Sequence, residues 1–106
     1  MSLPFRAELE ASSELEEAAL WYEGQCDGLG VAFLASVDRA LDHIARWPQA
    51  GAPVPDVPQD LAVRRVPINR FPYHVVYLEL PDAIRILAVA HDRREPRYWH
   101  PRVSKL

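Results

Sequence analysis

Tyr73-His74-Val75-Val76-Tyr77-Leu78-Glu79-Leu80 and Ala83-Ile84-Arg85-Ile86-Leu87-Ala88-Val89-Ala90 are two apolar runs separated only by Pro81-Asp82. Each run is strand length, rich in β-branched and aromatic residues, and apolar on both of its alternating faces, as strands in the middle of a sheet are. Pro-Asp between them is a tight-turn signature, so the two strands pair antiparallel. Just upstream, Leu61 to Ile68 reads as a further strand in which Pro67 marks an edge or an irregularity, and Asn69-Arg70-Phe71-Pro72 turns the chain. Residues 61–90 are therefore a three-stranded antiparallel meander.

Upstream of the meander the periodicity is different. Phe5, Ala7 and Leu9 alternate with Arg6, Glu8 and Glu10, which predicts a strand over about residues 4–10 with one buried and one wet face. Ser13 stands three residues before Glu16, a capping-box spacing, and Leu15, Ala18, Ala19 and Tyr22 follow at helical intervals to about Gly24. After Gly24-Gln25-Cys26-Asp27-Gly28, the residues Phe33, Val37, Leu41, Ile44 and Ala45 form a second apolar stripe, which Pro48 ends. Two amphipathic helices joined by so short a loop form an antiparallel hairpin whose stripes cover a sheet face. The expected fold is thus α+β: strand, antiparallel helical hairpin, then three-stranded meander, with the helices on one face. Residues 48–60, with Pro48, Pro53, Pro55 and Pro58, are an extended connector and not a domain boundary, so residues 1–106 form one domain. Trp21 and Trp47 lie on or beside the apolar helix faces and are expected in the core.

The start of the chain has neither the basic segment nor the apolar stretch of a secretory signal, and no window approaches the roughly 20 apolar residues of a membrane span. Cytoplasmic residence without membrane attachment is expected. Cys26 is the single cysteine, which rules out an internal disulfide and reads as a tolerated loop thiol. The residue spacings suggest neither a metal site nor a cofactor.

The net charge of −3 conceals an asymmetry. Residues 1–60 carry three basic side chains against eleven acidic ones, a balance of −8, whereas residues 61–106 carry nine against four, a balance of +5. An anionic partner would bind the second half. Antiparallel order brings the end of the second strand, the start of the third and the end of the fourth to one end of the sheet, within about 10 Å of one another. These termini carry Arg64, Arg65, Arg70, His74, His91, Arg93, Arg94, Arg97 and Tyr98, with Arg85 at the opposite end. Guanidinium groups fork phosphate or carboxylate oxygens and imidazoles titrate near neutrality, so such a cluster suits a phosphodiester or an acidic protein. The competing reading is that these arginines only solvate the sheet end and pair with the acids of residues 1–60.

The segments Ala62-Val63-Arg64-Arg65-Val66-Pro67-Ile68, Pro72-Tyr73-His74-Val75-Val76-Tyr77 and Ile86-Leu87-Ala88-Val89-Ala90-His91-Asp92-Arg93-Arg94-Glu95-Pro96-Arg97-Tyr98-Trp99 resemble the RelE/ParE toxin superfamily, as does the hairpin ending at Trp47-Pro48. The resemblance covers nearly the whole chain. It implies the toxin of a type II toxin–antitoxin, or plasmid stabilisation, module and a cognate antitoxin whose C-terminal segment wraps it in an apolar groove of hairpin and meander. Without antitoxin, a homodimer is the state left open. RelE-like members cut mRNA on the ribosome, while ParE-like members inhibit growth by poisoning DNA gyrase without accepted catalytic residues.

By position, the resemblance matches Arg65 to the first basic residue of the second strand, Arg93 to the arginine after the fourth, and Tyr98 to the aromatic that follows. Pro67 stands where a lysine is expected and His74 where an arginine is. The candidate catalytic set is Arg65, His74, His91, Arg93 and Tyr98, and the candidate target-binding set Arg64, Arg70, Arg94 and Arg97. Pro67, His74 and the acidic total favour a binding toxin acting on a target such as gyrase. The Arg93/Tyr98 pair favours the alternative, a ribosome-dependent mRNA endoribonuclease.

Overall fold

A computed structural model describes residues 3–57 and 61–103. Its centre is the expected pair of strands, β4 (Tyr73–Glu79) and β5 (Ile84–His91), antiparallel with Tyr73 opposite His91 and Glu79 opposite Ile84. β3 (Val63–Pro67) pairs antiparallel with β4. A two-residue strand inside the proline-rich connector, β2 (Ala52–Pro53), pairs with Arg65 and Arg64 of β3. β1 (Phe5–Ala7) runs parallel to β5 at the other edge, giving the order β1-β5-β4-β3-β2.

Helices α1 (Leu9–Gln25) and α2 (Leu29–Arg46) lie against one face. Under them Ala11, Ala18, Ala19, Phe33, Val37, Ala40 and Ile44 meet Val66, Ile68, Val75, Tyr77, Ile84, Ile86 and Val89, with Tyr22, Phe71 and Tyr73 stacked at one side. The second face is covered too, which is why the central strands are apolar throughout. There Val63, Val76, Leu78, Leu87, Ala88 and Ala90 pack against Trp99 and Val103, with Val54 and Val57 of the connector and Leu61 just before β3. Val103 belongs to α3 (His100–Val103), a single turn after the sheet.

Three expectations are corrected. The first strand spans only Phe5–Ala7, and all three of its residues are exposed, because it is an edge strand that the hairpin does not cover. Helix α1 begins at Leu9, so Ser13 sits inside the helix and does not start it. Pairing continues until the Glu8 N–H donates to Ile86 O, and the Glu8 carbonyl then accepts from Ser12, so the sheet edge sets where the helix begins. Trp21 and Trp47 are 59% and 62% exposed, while Trp99, from the tail, is the indole buried at 2%. Trp47 falls one residue past α2, in a non-helical conformation that turns it away from the stripe.

The hairpin is tied at its tip by Glu23. Gly28, at φ +86° in the left-handed region that glycine tolerates, precedes α2, and Glu23 accepts the N–H groups of Gly28 and Gly30, both at 2.9 Å. These donors are otherwise unsatisfied at a helix start, and they hold the Glu23 carboxyl below its ordinary pKa. A depressed pKa gives stability that is present above the unfolded-state value of about 4.3 and lost as pH falls through the folded one. Glu23→Gln should therefore unfold at lower urea concentration than wild type at neutral pH, and the gap should narrow as pH falls below about 4.3. Equal gaps above and below that pH would show that the charge contributes nothing.

Candidate functional site

The three strand termini meet as the turn lengths require. Pro67 pairs with His74, Tyr73 pairs with His91, and Asp92 N–H donates to Pro72 O at 2.8 Å. The side chains nevertheless divide between the two faces of the sheet. A bulge opposite Val76 and Tyr77 inserts Leu87 as an extra residue in β5 and reverses the alternation beyond it. Val89 and His91 consequently share the helix face, while Arg65, Pro67, His74 and Val76 share the other.

The two histidines differ in protonation pattern as well as in face. His74 Nδ1 lies 2.9 Å from Asp92 Oδ1, and an ionised carboxylate only accepts, so Nδ1 carries the proton and neutral His74 presents a lone pair at Nε2. His91 Nδ1 accepts the Arg93 N–H at 3.1 Å, so neutral His91 carries its proton on Nε2. Its ring stands edge-on to Tyr73 at 5.0 Å.

Most of the arginines are engaged. Arg64 donates to Gly51 O at 2.9 Å, Arg97 pairs with Asp56 at 3.5 Å, and Arg85, at the far end, forks Glu8. Arg94 lies over the Tyr98 ring, 3.7 Å from its centre, and reaches Glu14 at 3.4 Å. Among the described residues, the side chains of Arg65, Arg70 and Arg93 have no hydrogen-bond or ion-pair partner. Arg70 occupies the turn between β3 and β4 with φ +74°.

Tyr98 is held tightly. Its hydroxyl is buried without a hydrogen-bond partner of ordinary geometry, and its ring has Arg94 on it and Arg102 5.1 Å away. Burial, and next the neighbouring Glu14 carboxylate, push its pKa far above the usual phenol value.

Glu14 organises this side of the site, and nothing in the terminal cluster pointed to it. One oxygen accepts from Arg102 at 2.9 Å and from Val89 N–H at 3.1 Å; the other accepts from Arg102 at 3.1 Å and from Arg94. Arg102 also donates to Leu87 O at 2.9 Å. The signal was available: Glu14 stands between Ala11 and Ala18 on a helix stripe, where a carboxylate needs a cationic partner.

Hollows border the cluster on both faces, the helix-side one lined by Glu14, Trp21, Tyr73, His91 and Arg94, and a separate groove lies on the hairpin. On the face away from the helices, a mouth of about 400 Å³ bounded by Ala52, Arg65, Pro67, His74 and Asp92 adjoins a recess of about 230 Å³. Val54, Val76, Pro96 and Trp99 line the recess. On the hairpin, Leu15, Ala19, Leu20, Gly30, Val31 and Leu34 form an apolar groove of about 450 Å³. This groove lies between the two helices alone, without the strands that the sequence resemblance would add to it. The described residues contain no His/Cys/Asp/Glu grouping suited to a metal ion, and none of their helices is long and apolar enough to cross a membrane.

A small α+β domain with a helical hairpin and a basic sheet end is the class these features define. Residues 6–96 match the family described as the ParE toxin of type II toxin–antitoxin system, parDE. The chain belongs to this ParE toxin family. Among solved structures it is similar to a chain titled "Chromosomal ParDE TA system from P. aeruginosa", with a TM-score of 0.67 and 15% identity over 85% of this chain and 96% of that one. At that identity the likeness speaks for the fold. A search of curated proteins returned no match.

Glu14 and Arg102 are each little exposed, so removing one strands the other. Arg102→Ala should lower unfolding free energy by about 3–5 kcal/mol, read from urea denaturation. A loss near that of an exposed pair, below about 1 kcal/mol, would show the network to be dispensable.

Proposed function

We propose that this chain is the toxin of a type II toxin–antitoxin pair that inhibits growth in the cytoplasm by occupying an essential protein, DNA gyrase being the leading target, and that it cuts no RNA. The observation that carries this reading is the state of the groups that would have to move protons. RNA cleavage needs one group to take a proton from the 2′-hydroxyl and another to give one to the leaving 5′-oxygen, beside a cation on the phosphate. The Tyr98 hydroxyl is buried with its pKa raised, which disfavours phenolate and so a general-base role, and His74 and His91 lie on opposite faces of the sheet. Arginine stays charged and serves only the phosphate. A contact inhibitor needs none of these groups to ionise.

The hairpin groove supports an antitoxin partner. Leu20, Val31 and Leu34 are 67%, 69% and 41% exposed around it, an apolar surface suited to an amphipathic segment laid between the helices. Co-expression with the product of the adjoining reading frame should give a complex that survives gel filtration. Val31→Glu should cost that complex at least tenfold in affinity while the toxin remains folded, and an unchanged affinity would move the antitoxin elsewhere.

The mechanism is tested by inducing His74→Gln, His91→Gln, Tyr98→Phe and Arg93→Ala variants beside wild type. The first three should keep most of the growth inhibition, and Arg93→Ala should lose most of it. Supercoiling by gyrase in vitro should fall with wild type, and primer extension should show no new mRNA ends. Codon-phased ends that vanish in Tyr98→Phe or in either histidine variant would instead establish the endoribonuclease.

A further inference from the structure

We infer that the target is held through a protein carboxylate, forked by Arg65 at the mouth of the cleft between β2 and residues 92–96, with the neighbouring apolar side chain of the same target segment in the recess behind it. This rests on the reading of the chain as a toxin that acts by contact. The cleft combines an unpaired cation at its mouth with an apolar wall behind it. Arg65 is exposed at the mouth with no partner among the described residues, although the Asp92 carboxylate bounds the same mouth. Asp92 is bound instead to His74 Nδ1 at 2.9 Å and anchored by its own N–H to Pro72 O. His74 thus engages one Asp92 oxygen, and no hydrogen bond or ion pair joins Asp92 to Arg65 among the described residues. Arg70 and Arg93, also unpaired among the described residues, come from the same end of the sheet and bias the approach of an anion.

Behind the mouth the recess is mixed: Val54, Val76, Pro96 and Trp99 supply an apolar wall, and Arg65, His74, Asp92 and Arg94 supply the polar one. The recess, about 230 Å³ behind a mouth of about 400 Å³, has room for one aliphatic side chain. Two features favour a protein carboxylate over a nucleic acid. A single-stranded nucleic acid would need aromatic faces on which bases stack, yet Trp99 is 2% exposed and the face of Tyr98 carries Arg94. Only three guanidiniums stand unpaired among the described residues of a chain of net charge −3, a weak field for a phosphate backbone.

The test is a ¹⁵N-correlation titration of the full chain with the blocked tetrapeptide Gly-Leu-Glu-Gly, the same peptide with Gln for Glu, and hexauridylate. The Glu peptide should give saturable shifts at Arg65, His74, Val76 and the Trp99 indole N–H, at least tenfold tighter than the Gln peptide. Arg65→Ala should weaken it at least tenfold, Arg65→Lys should recover only part, since an ammonium lacks the fork, and the remote Arg46→Ala should leave it unchanged. Equal binding of the Gln peptide, no saturable shift at these positions, or tighter Arg65-dependent binding of hexauridylate would each overturn the assignment, the last in favour of nucleic acid. Gyrase supercoiling with wild type and Arg65→Ala separates the two layers. Inhibition by both proteins alike removes the cleft and leaves the contact mechanism standing. Inhibition by neither removes gyrase as the target, and the titration then decides the cleft by itself.

Discussion

Glu14 sits where the sheet runs out of strands. β1 pairs with β5 only from Ile84 to Ile86, and beyond that point Leu87 O and Val89 N–H face an edge with no neighbouring strand. Backbone groups left unpaired at such a place cost free energy comparable to lost hydrogen bonds. Here side chains replace the missing strand: Arg102 donates to Leu87 O, Glu14 accepts from Val89 N–H, and the two fork each other. One ion pair therefore blocks an edge open to strand addition and joins α1 to α3. It also fixes the C-terminal segment, so that Trp99 and Val103 lie on the second face of the sheet. A charged pair at this depth carries a large desolvation cost, and the four hydrogen bonds to Glu14 are what offset it.

The meander and the hairpin were legible because each rests on local pattern: continuous apolar runs around Pro81-Asp82, and two helical stripes around Gly24 to Gly28. The convergence of His74, His91 and Arg70 at one sheet end followed from turn lengths alone. The faces of those residues did not follow, because alternation counted along β5 takes no account of the bulge at Leu87. A single inserted residue sends His91 to the helices and leaves His74 on the opposite side. The start of α1 was misread for a related reason. Ser13 and Glu16 have capping-box spacing, but the pairing of Glu8 with Ile86, a contact across most of the chain, begins the helix a turn earlier. Glu14 and Arg102 are separated by 88 residues, and no local pattern connects them.

The charge asymmetry of the two halves takes on a different meaning once the partners are known. Arg85 meets Glu8, Arg94 and Arg102 meet Glu14, and Arg97 meets Asp56, so part of the basic half neutralises part of the acidic half within the fold. Of the arginines in the terminal cluster, Arg94 and Arg97 do pair with acids of the first sixty residues, while Arg85 and Arg102 lie outside that cluster. That pairing does not extend to Arg65, Arg70 and Arg93, whose side chains remain unpaired among the described residues at the sheet end. Formal charge by segment overstates the cationic surface, and the ion-pair geometry reduces it to a small patch.

The proposed antitoxin groove and the proposed target cleft lie on opposite sides of the sheet. A segment confined to the groove between α1 and α2 touches neither Arg65 nor His74. To obstruct the cleft directly it must continue around an edge of the molecule. The shortest dimension of the fold is 22 Å, and an extended chain advances about 3.3 Å per residue, so the continuation requires roughly seven residues beyond the groove. At the β2 edge Pro53 and Pro55 withhold N–H groups, and at the β5 edge the Glu14–Arg102 pair occupies the backbone. Neither edge offers a long ladder for strand addition, so a passing segment must be held mainly by its side chains. An antitoxin that neutralises by obstruction is consequently two recognition elements joined by an extended tether: an apolar face for the hairpin and an acidic end for Arg65.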